Sequence, residues 1–145
     1  MISRLSSGYV EVPPNNFSFI PIDLGKRLRL YVKWKASYKC FIALTNELMT
    51  KRIKDLIGDR GLEALWTTPW GFLVPPPFSS MAVISYIFSR ITQPIIAQQV
   101  VYDTASSGLL KMDVDTPGRY YLIIYNDSIY GSLKVKYEVL VEELQ

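Results

Sequence analysis

Three aspartates and one series of cations are the residues of this chain whose spacing could do chemistry. Asp113 and Asp115 alternate onto one face of a strand, with Asp103 upstream of them. Clustered carboxylates can ligate a hard cation such as calcium, and a carboxylate pair can serve a glycosidase. Charged residues beside a turn also occur simply for solubility. Arg27, Arg29, Lys33 and Lys35 alternate along another strand with Tyr31 among them, and Lys39 continues the series. Such a face can meet the phosphates of a nucleic acid. It can equally be a solvated sheet face whose cations protect an edge.

Other chemistry is excluded by composition. The 145 residues contain no histidine, which removes imidazole general-base catalysis and the histidine ligands of common zinc sites. The single Cys40 rules out an intramolecular disulfide or a thiolate cluster, and its setting in YKCFIAL predicts a buried thiol. Gly58-Asp59-Arg60-Gly61 is too short for a phosphate loop and lacks its lysine pattern. No cofactor is expected, and the chain reads as non-enzymatic. A formal charge of +3 is a mild basic excess and favours a nucleic-acid partner only weakly.

The elements that must position these residues are strands. Leu133, Val135, Tyr137, Val139 and Val141 alternate with Lys134, Lys136, Glu138 and Glu142, the pattern of a half-buried antiparallel strand. Arg27–Lys35 alternates in the same way, with Leu28, Leu30, Val32 and Trp34 inward. Further strands are expected at 9–12, 17–22, 38–45, 81–89, 95–102, 110–114 and 120–125, with a loop at 103–108. Residues 81–91 also fit a helical spacing; strand is preferred because both flanks are β. Asn46 or Thr45 can cap one short helix near Glu47–Ile57. Residues 62–80 carry Trp66, Trp70, Phe72 and three consecutive prolines, which suit a long loop and forbid a central strand. The whole predicts one all-β domain over 1–145: a two-layer antiparallel β-sandwich, jelly-roll-like, of about eight strands. Residues 1–8 are expected to be weakly ordered, and 46–80 to be a helix-plus-loop insertion.

The closing hairpin carries a resemblance. Pro117, Gly118, Tyr120, Tyr121, Leu122, Ile124 and Asn126 form a Pro-Gly-x-Tyr-Tyr-apolar strand ending at Asn, followed by a long alternating strand. This resembles the closing hairpin of the GOLD domains of p24 cargo receptors and of the prepeptidase C-terminal domains of secreted bacterial and archaeal proteins. The match covers roughly 108–141. It implies a β-sandwich acting as a non-catalytic recognition or structural module, and it names no ligand residue. The signal peptide, disulfide, coiled coil and membrane helix of the p24 proteins have no counterpart here.

The expected function is therefore a structural or protein-binding module, engaging a partner or copies of itself in a larger assembly such as a virion or cell-surface structure. Ten Tyr, six Phe and three Trp support this, since Tyr and Trp are favoured interface anchors. The expected contact residues are Tyr121, Ile123, Tyr125 and Tyr130 of the hairpin, with Trp66, Trp70 and Phe72 of the loop. Nucleic-acid binding by Arg27, Arg29, Tyr31, Lys33, Lys35 and Lys39 is the alternative. Tyr120–Tyr125 is apolar on both faces, so the 121/123/125 face needs cover from the chain itself or from a partner. No signal peptide or membrane-spanning segment is evident, so a soluble chain is expected, cytoplasmic or part of a virion or surface assembly.

Overall fold

The structure, a computed structural model, describes residues 2–14, 16–58, 100–126, 128 and 131–144. The expected all-β class is observed. Six strands are described: β1 (Ile2–Val12), β2 (Asn16–Leu24), β3 (Leu28–Asn46), β4 (Val100–Val114), β5 (Gly118–Asn126) and β6 (Leu133–Glu143). One helix, α1 (Glu47–Gly58), follows β3. Asn46 caps it as the sequence predicts: its Oδ1 accepts from the Met49 amide at 2.9 Å, and its carbonyl accepts from the Thr50 hydroxyl at 2.9 Å. No helix of the described residues is long and apolar enough to cross a membrane.

All pairings are antiparallel, in the order β1-β6-β3-β5-β2, with β4 on the other edge of β3. The 19-residue β3 organises the sheet. Its first half, Leu28–Ala36, pairs with β6, and its second half, Phe41–Asn46, pairs with β5. β4 follows it along both halves, with a break in register between Lys35 and Cys40. There the sheet turns a corner, and its two halves face each other as two layers. Between them lies one core drawn from both halves of β3, including Leu30, Val32 and Trp34 before the corner and Cys40, Ile42 and Leu44 after it. Cys40 is buried, as its apolar setting implies.

Several boundaries differ from expectation. The strands predicted at 27–35 and 38–45 are one strand, and from Val100 on, the strand expected at 95–102 runs through the expected loop 103–108 into that at 110–114 as β4, residues 95–99 lying outside the described residues. The small and polar residues that look like turns sit at a corner where the ladder bends without ending, which is the role of a bulge. Residues 2–8, expected to be weakly ordered, form most of β1, held by backbone pairing to β6. Six strands among the described residues replace the expected eight in part through these mergers. The strand expected at 81–89 and the loop at 62–80 lie outside the described residues.

Two polar residues of the hairpin signature turn out to be structural. Gly118 takes a positive φ of 153°, which explains glycine at the turn. The buried Tyr120 donates its hydroxyl to the Thr116 carbonyl at 2.8 Å, pinning the start of β5 to that turn. Asn126, fully buried, spreads its amide donor over the carbonyls of Val12, Pro13 and Gly131 at 3.0, 3.2 and 2.9 Å. Its Oδ1 accepts from the Tyr38 hydroxyl at 2.9 Å and the Ser128 amide at 3.0 Å. One side chain thus ties together the ends of β1 and β5, the β5–β6 connection and the corner of β3.

Candidate binding face

The expected contact face on β5 is largely core. Ile123 and Tyr125 are fully buried and Tyr121 is half-buried. Across the ladder, Ile123 and Tyr125 face Ala43 and Phe41 of β3 and Phe19 and Phe17 of β2. The Phe17 ring stacks on Tyr125 at 4.4 Å. α1 buries Met49, Thr50 and Ile53, and its Lys54 ammonium lies 4.9 Å from the Phe19 ring and 5.1 Å from the Tyr121 ring. Cover therefore comes from within the chain, and Ile123 and Tyr125 cannot serve as an exposed anchor. Tyr130, Trp66, Trp70 and Phe72 lie outside the described residues.

The open face belongs to the other half of the sheet. Strands β4, β3, β6 and β1 lie side by side there, and their outward side chains fall into two electrostatic zones. Where β3 begins, Arg29 and the two cations just before the strand are matched. Arg29 Nε donates to Asp113 at 2.7 Å, and its Nη1 reaches Glu142 at 3.5 Å. Tyr31 donates to the same Glu142 at 3.2 Å. Arg27 pairs with Asp115 at 3.5 Å, and Lys26 pairs with Glu143. Hydrogen bonding to Arg29 holds the Asp113 carboxyl below its ordinary range, and Lys26 does the same for Glu143.

Toward the corner the matching stops. Lys33 and Lys35 of β3, Lys134 and Lys136 of β6 and Lys111 of β4 are all exposed, and none is in an ion pair with a described residue. Lys35 stands directly opposite Lys136, a like-charge pair that costs a sheet stability. Lys33 stands opposite Glu138, but Arg4 of β1 pairs with that carboxylate at 3.3 Å. An open groove of about 560 Å³ crosses β1, β6 and β3 here. Tyr9, Lys33, Lys35 and Lys136 line it, the Arg4–Glu138 pair bounds it, and Gly8, Trp34 and Tyr137 contribute to its floor. The Tyr137 ring lies across Gly8, and a Cβ at that position would come within 2.4 Å of its hydroxyl, so the ring would have to move aside. Large apolar side chains flank the lysines: Tyr9 is 53% exposed on β1, and Leu109, opposite Lys33 on β4, is 58% exposed.

The basic series read from sequence is thus divided. Arg27 and Arg29 are committed to carboxylates and Tyr31 to Glu142. Lys33 and Lys35 are free of ion pairs among the described residues. Lys39 is exposed at the corner. Lys111, Lys134, Lys136 and Tyr9 were missed, because strand register brings them together across more than a hundred residues. Alternation in the last strand was the only sequence signal for two of them. The aspartates do not gather: Asp113 and Asp115 are ion-paired, while Asp103 lies beyond the corner of β4, bonded to the Thr104 amide at 2.7 Å. Among the described residues no group of three or more acidic, cysteine or histidine side chains could hold a metal ion.

No family model matches the chain, and no curated protein matches it. A solved structure described as "BiXyn10A CBM1 APO" aligns at 9% identity with a TM-score of 0.33, over 93% of this chain and 62% of that one. The chain spans less than two thirds of that protein's length, and a likeness of this strength carries no argument about fold or function.

Proposed function

We propose that the chain is a non-catalytic protein-binding module, and that it works through the open face of β4, β3, β6 and β1. The observation that carries this reading is the groove lined by Tyr9, with Leu109 exposed beyond it opposite Lys33: apolar anchors beside cations that form no ion pair among the described residues. A solvated face with no other role tends to intersperse its charges, as the Arg27–Arg29 end does, and large exposed apolar side chains grouped around a groove mark a contact surface. The resemblance of the closing hairpin to recognition modules supports the same class of function. The partner face moves from the 121/123/125 face, where Ile123 and Tyr125 are core, to the half of the sheet that faces water.

A photo-crosslinking residue installed at Tyr9 or Leu109 tests the reading in the source cells. Adducts with another protein, or with a second copy of the chain, are expected from both positions and not from the same residue at Lys26. Adducts equally frequent at Lys26, or absent at Tyr9 and Leu109, would overturn it.

A further inference from the structure

We infer that the lysine end of the open face is a docking groove for an extended acidic segment of a partner protein, with an apolar residue at its side. The inference deepens the protein-binding reading and rests on it. Charge complementarity chooses the occupant. Lys33, Lys35 and Lys136 line one groove with no ion pair to a carboxylate among the described residues, and Lys35 faces Lys136 across the ladder. Side by side in a sheet, those ammonium groups repel, and an incoming anion removes the repulsion while adding its own attraction. The start of β3 shows the contrast, since Arg29 and the preceding Arg27 each meet a carboxylate.

Geometry favours a peptide. Lys33 and Lys35 lie two residues apart on one strand, about 6.8 Å, which is also the separation of alternate side chains in an extended peptide. Lys136 sits on the adjacent strand, about 4.8 Å away in the pairing direction. Alternate carboxylates of an extended segment can therefore each meet a lysine. Leu109 stands opposite Lys33 on one side, and Tyr9 stands opposite Lys136 on the other. Both are more than half exposed and give an apolar neighbour somewhere to pack. A nucleic acid would use the same lysines but has no use for Leu109, and its phosphate track would soon meet Asp113, Asp115 and Glu142. A second copy of this chain offers this face no unpaired acidic run from those residues, which are engaged with Arg27 and Arg29.

Fluorescence anisotropy on the full chain decides the matter, with a labelled peptide of consecutive glutamates flanked by leucines and, in parallel, a labelled thymidine oligonucleotide. The peptide is expected to saturate at low salt and to weaken as salt rises. Lys35→Glu combined with Lys136→Glu is expected to cut peptide affinity by about tenfold or more, whereas Lys26→Gln leaves it unchanged. Lys35→Gln with Lys136→Gln removes the charge without reversing it and should give an intermediate loss; circular dichroism checks that each variant is folded. Tighter binding of the oligonucleotide than of the peptide would overturn the inference in favour of a nucleic-acid surface. Absence of peptide binding at low salt, or full binding by the folded Glu variant, would overturn it as well. If crosslinks at Tyr9 and Leu109 persist in that variant, the protein-binding reading stands and the acidic occupant alone is rejected.

Discussion

The two halves of β3 are one continuous strand with opposite relations to water. From Leu28 to Ala36 burial alternates: even positions enter the core, and Arg29, Tyr31, Lys33 and Lys35 look outward. From Cys40 to Thr45 every residue is buried. The first half has a bare outer face; the second has α1 and the aromatic side chains of β2 and β5 over its outer face. A strand covered on both sides contributes stability and offers no surface. A strand covered on one side can spend its second face on recognition. The corner between them lets the same strand do both, and it places the aromatic cluster of the hairpin in the half where it stabilises.

Truncation in the doubly covered half should give the largest effect. Phe41→Ala removes a fully buried ring and is expected to cost about 3–5 kcal/mol in urea unfolding. Lys33→Ala in the bare half should leave the midpoint unchanged. Comparable losses from both would break the distinction between the halves.

The clasp at Asn126 comes next. Asn126→Ala strands the carbonyls and donors that this side chain satisfies, and about 3 kcal/mol of destabilisation is expected from buried polar groups left without partners. Tyr38→Phe removes only the hydroxyl that bonds Asn126 and the Gly131 carbonyl, and should cost about 1 kcal/mol. The reverse ranking in thermal unfolding would contradict the role assigned to Asn126.

Proline, glycine and alternation made much of the architecture legible. The inward set Leu28, Leu30, Val32 and Trp34, the helix cap at Asn46, and the turn at Pro117–Gly118 all follow from local rules. The unity of β3 and β4 did not, because Ser37 and the Ser106–Ser107–Gly108 stretch have the composition of turns while the ladder carries them around a corner. The strand read at 9–12 is the end of β1, but its first part was illegible for a related reason: an edge segment such as Ile2–Gly8 needs only backbone partners. The 121/123/125 face was rightly read as needing cover, but the choice between cover by the chain and by a partner depended on where α1 and β2 lie. The binding face was half legible. Lys33 and Lys35 stand out in sequence, whereas their grouping with Lys136 and Tyr9 is a product of register.

Acid should act on the matched end of the bare face and spare the lysine end. Asp113, held down by Arg29, and Glu143, held down by Lys26, have folded-state pKa values below their unfolded ones. Their contribution is present above the ordinary carboxylate range and is lost as pH falls through the lowered values. These pairs are exposed, so the slope should be shallow and reduced by salt. Asp113→Asn should flatten it further in a urea series from neutral pH downward; a stability that rises on acidification would contradict the sign.

The smallest stability effect is expected at the lysines themselves. Replacing Lys35 by Glu places a carboxylate opposite Lys136 and converts repulsion into attraction, so the unfolding midpoint should stay level or rise slightly. A marked fall would mean that this cation supports the fold and is not held in reserve for a ligand.

Amide-resolved NMR of the full chain titrated with the acidic peptide tests the central claim most directly. The account predicts shifts concentrated at Ser7–Tyr9, Lys33–Lys35 and Lys134–Glu138, with Phe41–Thr45 and Tyr121–Tyr125 unmoved. Shifts centred on the hairpin aromatics, with the lysine groove silent, would contradict it.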